Sequence, residues 1–149
     1  MAKTIKKVSD TQQLREALPS ILKTIFKEGA TFDELWEELS KNKKLAKIMY
    51  TDDKKPRIGL LQGLSNRVKD GKEENMMMVK KEDGKNYFVY YDSSLDKQIK
   101  LTTHYISSIK SIEFDKDTKF TEEKETLLKQ QTNLIKKLEE LNVQLVSKK

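Results

Sequence analysis

Apolar residues near the start of the chain recur in alternating steps of three and one. Leu14, Ala17, Leu18, Ile21, Leu22, Ile25 and Phe26 fall on one stripe of a period of 3.6 and predict a helix over residues 10–28. Asp10 is placed to cap its start, and Gly29 to take the left-handed conformation past its end. Pro19 lies inside the pattern and predicts a kink or a split near Leu18. A second helix follows at once. Thr31 and Glu34 have the spacing of a capping box, Phe32, Leu35, Trp36 and Leu39 supply the apolar face, and Asp33, Glu34, Glu37 and Glu38 make the other face acidic. Residues 41–50 either extend that helix or add a short one through Leu45, Ile48 and Met49. A third helix is predicted to open at Pro56 and to bury Ile58, Leu61, Leu64 and Val68. Gly71 is placed to end it, and Arg57, Gln62, Ser65, Asn66, Arg67, Lys69 and Lys72 are expected to face outward.

The period then changes. Residues 76–81 and 86–91 are strand-like runs flanking Glu82-Asp83-Gly84-Lys85, and Asp-Gly between two such runs predicts a hairpin. Residues 93–120 form a connecting segment with a short strand expected at Gln98–Thr102. Ile106, Ile109 and Ile112 are spaced for a helix but have the composition of a strand, and the sequence leaves that stretch open. Thr121 caps a final helix over residues 121–149. Along it Leu127, Gln131, Leu134, Leu138, Leu141 and Leu145 recur in steps of four and three, a heptad seam with one polar position. The predicted class is α+β: three helices, a β-hairpin and a long C-terminal helix.

Charge narrows the function classes. The chain of 149 residues carries a net +6, and its pI of about 9.3 passes the level at which a nucleic-acid partner is suspected. Residues 41–72 hold ten basic and three acidic side chains, a local +7. Only Arg15, Arg57 and Arg67 are arginine, so most of the positive charge is lysine, suited to phosphates more than to base edges. There is no cysteine, which excludes disulfides and thiolate metal sites. The basic start Met1-Ala2-Lys3-Thr4-Ile5-Lys6-Lys7 is followed by no apolar signal-type stretch, and no run reaches the roughly 20 apolar residues of a bilayer span. These features point to a cytoplasmic protein without a membrane partner.

Three helices followed by a hairpin is the element order of a winged helix-turn-helix domain. The residues carrying it are Leu14-Arg15-Glu16-Ala17-Leu18, Thr31-Phe32-Asp33-Glu34-Leu35, the run from Lys55 to Arg67, and Asn86-Tyr87-Phe88-Val89-Tyr90-Tyr91. Over residues 10–92 the sequence resembles the HARE-type winged-helix modules of restriction-system proteins, chromatin factors and the delta subunit of bacterial RNA polymerase. Pro19 and the long connection from Lys41 to Lys55 depart from that pattern. The resemblance implies a recognition helix in the major groove and a hairpin touching the backbone.

On that basis Arg57, Gln62, Asn66 and Arg67 are candidates for reading bases. Lys54, Lys55, Lys69, Lys72, Lys80, Lys81 and Lys85 are candidates for holding phosphates. The expected protein is a non-enzymatic duplex-DNA-binding regulator or accessory factor, with the 127–145 seam joining two copies into a homodimer. The seam is also able to pack back as an ordinary amphipathic helix, since Leu128 and Ile135 widen it. A different class, a protein-binding adaptor or inhibitor (phage- or plasmid-borne) docking on an acidic protein or a nucleoprotein enzyme, is kept open by the acidic second helix and by Met76-Met77-Met78. Those methionines also fit plain core filling. Catalysis has little behind it: His104 is the only histidine, and the Asp70, Asp83, Lys85 set that resembles nuclease spacing is explained by the turn at Asp83-Gly84. No cofactor or metal is called for.

Overall fold

The computed structural model describes residues 7–148; the basic opening residues 1–6 and residue 149 lie outside the described residues. The chain is α+β: the described residues form six helices and one two-stranded antiparallel hairpin, and they divide after Tyr91 into two compact units. Among the described residues, no helix is long and apolar enough to cross a membrane.

The first unit contains α1 (Asp10–Thr24), α2 (Phe32–Lys41), α3 (Lys43–Met49), α4 (Ile58–Lys69), β1 (Met76–Lys80) and β2 (Asn86–Tyr90). The cap of α1 lies one residue earlier than expected: Ser9 Oγ accepts from the Gln12 N–H at 3.2 Å, and Asp10 is already helical. Pro19 neither splits it nor ends it, and α1 runs continuously to Thr24. A proline removes one backbone hydrogen bond, but Leu14 and Leu18 before it and Leu22 after it are all fully buried, so packing holds both halves in line. The helix ends short of residue 28, and Gly29 instead serves the sheet. Its φ is +99°, and a Cβ there would meet the Phe88 carbonyl oxygen and the Val89 side chain at 3.0 Å. This close approach lets Ala30 form a β-bridge with Phe88, with N···O distances of 3.0 and 2.7 Å.

Helix α2 carries the predicted capping box with both arms made. Residues 41–50 form a separate helix, because Asn42 leaves helical backbone and its Oδ1 caps α3 by accepting from Lys44 and Leu45. Pro56 is not the first residue of the next helix. It pairs with Tyr50 in an isolated bridge, and α4 begins at Ile58. Ile58 is also not part of the core, being 52% exposed. Gly71 ends α4 as expected: its φ is +70°, Gly71 N–H donates to the Val68 carbonyl and Lys72 N–H to that of Arg67, the paired bonds of a Schellman motif.

Strands β1 and β2 pair in the register Met76↔Tyr90 to Lys80↔Asn86. The turn uses three residues, with Gly84 at φ +76°, rather than a two-residue turn. Met76 and Met77 are buried and Met78 half-buried, so the methionine run fills the core. The core itself gathers Leu14, Leu18, Leu22, Leu35, Leu39, Leu61, Leu64 and Phe88, among others, with Phe26 and Trp36 packed on it half-buried.

The second unit is a pair of helices, α5 (Ser94–Lys110) and α6 (Glu122–Ser147), packed on each other. The strand expected at Gln98–Thr102 is the middle of α5. A strong local start overrides β-branched composition there: Ser93 Oγ accepts from Asp96 N–H, the Asp96 carboxylate accepts from Asp92 N–H, and no glycine or proline follows for the length of the helix. Thr121 caps α6 as predicted.

Candidate nucleic-acid interface

Helix α4 has one buried edge, made of Leu61, Leu64 and Val68. At about 100° per residue, Gly59, Gln62, Gly63, Asn66 and Lys69 fall on the opposite side, and all five are exposed. The two glycines have no role inside the chain. Their φ values are ordinary and a Cβ on either would meet nothing within 4 Å; Gly59 stands in the first turn, and Gly63, inside the helix, costs about 1 kcal/mol relative to alanine. They leave the helix surface bare beside Gln62 and Asn66. Gln62 Nε2 donates to Asn66 Oδ1 at 3.2 Å, so the two amides sit as a linked pair.

The two arginine candidates do not join them. Arg57 precedes α4 in non-helical backbone, and its Nη1 donates both to Asp10 Oδ2 and to the Ile48 carbonyl, each at 2.8 Å. It ties the start of α1 to the end of α3 instead of facing outward. Arg67 Nε donates to Glu73 Oε1 at 2.5 Å, and Arg15 Nε donates to the other oxygen of the same carboxylate at 2.6 Å. Glu73 is almost fully buried. Burial alone pushes its pKa up, but the hydrogen bonds and charges of Arg67 and Arg15 outweigh this and hold the carboxyl below its ordinary range. Sequence reasoning missed Glu73. It follows a helix-ending glycine like any surface acid, and its partners lie 6 and 58 positions away.

The lysine candidates divide in two. Lys81 Nζ donates to the Glu28 carbonyl at 2.8 Å and lies 4.2 Å from the centre of the Tyr87 ring, so it is folded against the unit. Lys72 makes an exposed pair with Asp70 at 3.3 Å, a contact of little energetic weight. Lys54, Lys55, Lys69, Lys80 and Lys85 are exposed, and among the described residues their ammonium groups make no hydrogen bond or ion pair. Lys54 has positive φ (61°) in the turn between α3 and α4. Lys85 flanks the hairpin turn, where the Tyr87 hydroxyl and the Lys85 N–H both donate to Asp83 and hold that carboxyl below its ordinary pKa. Asp83 is thereby committed to the turn. His104 lies on α5 beside the Tyr105 ring, remote in sequence from any of these groups.

In the second unit α6 packs on α5 by an edge other than the heptad seam. Leu128 and Ile135 are half-buried and Asn142 is buried, its Nδ2 donating to Thr103 Oγ1 at 2.8 Å. Lys110 and Glu139 add an exposed pair at 2.6 Å. The seam stays open to solvent: Leu127, Leu134, Leu138, Leu141 and Leu145 are exposed, Leu134 to 68%, and Gln131 with them. Ile109, Ile112 and Phe114 join Leu128, Gln131 and Ile135 around a cavity of about 540 Å³. No family model, curated protein or solved structure matches the chain.

Proposed function

We propose that the chain binds duplex DNA as a winged helix, with α4 as the recognition helix and the β1–β2 hairpin as the wing, and that the α6 seam joins two copies. The observation that carries the reading is the outward side of α4. It presents two amides, a lysine and two glycines, with the arginines at its ends held by carboxylates; exposed lysines without an ion pair stand on it (Lys69), before it in the chain (Lys54, Lys55) and on the hairpin (Lys80, Lys85). A bare, polar helix edge flanked by unpaired ammonium groups suits a polyanion that approaches closely. The Ala30–Phe88 bridge adds support, since it ties the segment before α2 to the hairpin and fixes the wing on the helical core.

The deciding measurement is fluorescence anisotropy of a labelled duplex titrated with the full chain between about 50 and 300 mM salt. Engagement of the five unpaired lysines gives a log–log slope of about −4 to −5 per bound copy. Absence of binding at about 50 mM salt, or binding indifferent to salt, removes the DNA reading.

A further inference from the structure

We infer that Asn66 reads adenine in the major groove, with Gln62 holding its amide in the reading orientation; this rests on the duplex-binding reading above. Guanine is most often read by the two-pronged donor of an arginine, and both arginines flanking α4 are held by contacts within the chain: Nη1 of Arg57 by Asp10 and the Ile48 carbonyl, Nε of Arg67 by Glu73. The exposed edge of the helix is left with amides. Adenine presents one acceptor, N7, beside one donor, the N6 amino group, and a side-chain amide matches this pair with one donor and one acceptor.

The Gln62–Asn66 bond leaves the fuller set of donors and acceptors on Asn66. Asn66 Oδ1 accepts from Gln62 Nε2 through one of its two lone pairs. Its second lone pair remains for the adenine N6–H, and both Nδ2 hydrogens remain for N7. Gln62 has spent a donor on Asn66, and in return fixes which end of the Asn66 amide carries the oxygen. Gly59, Gly63 and Asn66 lie within about 60° of one another around the helix, and a Cβ on either glycine would stand in open space. Neither position 59 nor position 63 therefore puts a side chain between Asn66 and a base edge. Lys69, two turns beyond Gln62 on the same side, makes no ion pair and supplies charge without base preference.

The test starts from selection of bound sequences out of random duplex DNA by the full chain, followed by anisotropy on the selected duplex. The expected result is an adenine whose replacement by guanine costs roughly 5- to 150-fold in affinity. Replacing that adenine by 7-deazaadenine, which lacks only the N7 acceptor, weakens binding in the same direction. In Asn66→Ala the adenine-to-guanine ratio falls to near one. Asn66→Asp, which keeps only acceptors, moves the preference toward cytosine. Gln62→Ala lowers the ratio without abolishing it, and Arg67→Ala leaves it unchanged. An adenine preference that survives Asn66→Ala overturns the inference, as does selection of guanine at a position lost in Arg57→Ala or Arg67→Ala. Binding with no base preference overturns the inference and spares the DNA reading. No binding at low salt overturns both.

Discussion

The two units of this chain spend their apolar residues in opposite ways. Up to Tyr91, six elements close around one core, and among the described residues only Val8, Ile25 and Ile58 are large apolar side chains left exposed. From Asp92 onward twelve such side chains are exposed, while the buried set is Asp96, Ile99, Ile106 and Asn142, half of it polar. A segment of about 58 residues has little surface to bury even when well packed, and this one leaves most of its apolar surface wet. The first unit has what it needs to fold by itself. The second is a helical hairpin that leaves its heptad seam exposed, and under the proposed dimer an identical copy would cover that seam in register.

The contrast breaks most visibly under leucine truncation. Leu61→Ala, in the core of the first unit, is expected to cost about 2–5 kcal/mol in urea unfolding of the full chain. Leu134→Ala, the most exposed seam position, should cost less than about 0.5 kcal/mol at concentrations where the chain is monomeric. A double change, Leu134→Lys with Leu138→Lys, should abolish self-association in sedimentation equilibrium and leave the unfolding of the first unit untouched. A wild-type chain that stays monomeric at high micromolar concentration refutes the homodimer; equal losses from Leu61→Ala and Leu134→Ala would refute the division of labour between the units.

A smaller effect probes what locks the first unit. Glu73 is buried between Arg15 and Arg67, and its carboxyl titrates below the ordinary value of 4.5. A depressed folded-state pKa means that its contribution is fully present above pH 4.5 and is lost as pH falls below that value toward the folded-state pKa. Glu73→Gln keeps the shape and removes the charge. Because both arginines remain partly solvated, the expected cost at neutral pH is about 1–3 kcal/mol. The gap between wild type and variant should close as the medium is acidified below pH 4.5. A gap independent of pH would mean that packing at position 73, not charge, holds α1 to α4.

In the second unit Asn142 invites the opposite expectation. Its amide bonds Thr103 Oγ1, but that hydroxyl already donates to the Ile99 carbonyl, so removing the asparagine strands no donor. Asn142→Leu should change stability by less than about 1 kcal/mol in either direction, and its effect should fall on the register of α5 against α6. Exchange of the methyl spectrum of Ile99 and Ile106 from sharp to broadened lines is the measurement. A loss above about 2 kcal/mol would show the amide to be a stability determinant instead.

What was legible in the sequence follows the range of the forces involved. The Thr31–Glu34 capping box, the Thr121 cap, the Gly71 stop and the Gly84 turn are satisfied within a few residues, and each stands where the sequence places it. The apolar stripes of α1, α2 and α4 are also local, apart from the exposed Ile58. Errors came where distant residues decide. Arg57 looks like a surface cation until Asp10, 47 positions away, is beside it, and Arg67 until Glu73 is folded beneath it. Gln98–Thr102 has strand composition, but the capped start at Ser93 and the packing of Ile99 and Ile106 against α6 make it helix. The seam in α6 was visible, whereas its exposure was not, because the edge that packs on α5 (Leu128, Ile135, Asn142) lies about 90° around the same helix.

A further small effect concerns two turns inside the first unit. Thr51 to Lys55 and Lys81 to Lys85 close in the same way. The first residue's N–H donates to the last residue's carbonyl, at 2.9 and 3.1 Å, and the fourth residue's N–H returns to the first carbonyl, at 2.8 and 3.0 Å. The fourth residue has positive φ in both, 61° at Lys54 and 76° at Gly84. Glycine adopts that conformation without a Cβ clash, whereas a lysine there costs about 1–2 kcal/mol, partly offset by glycine's larger entropy loss on folding. Lys54→Gly is therefore expected to stabilise the first unit by about 0.5–1 kcal/mol, read as a higher urea midpoint at unchanged slope. The same substitution removes one of the five unpaired ammonium groups, so the salt dependence of duplex binding should become shallower by about one unit. Gain in stability with loss of salt slope would place the strain at Lys54 in the service of binding. Gain in stability with an unchanged slope would take Lys54 out of the interface and leave the other four lysines to carry it, and a loss of stability would mean that the turn holds Lys54 by contacts stronger than its backbone strain.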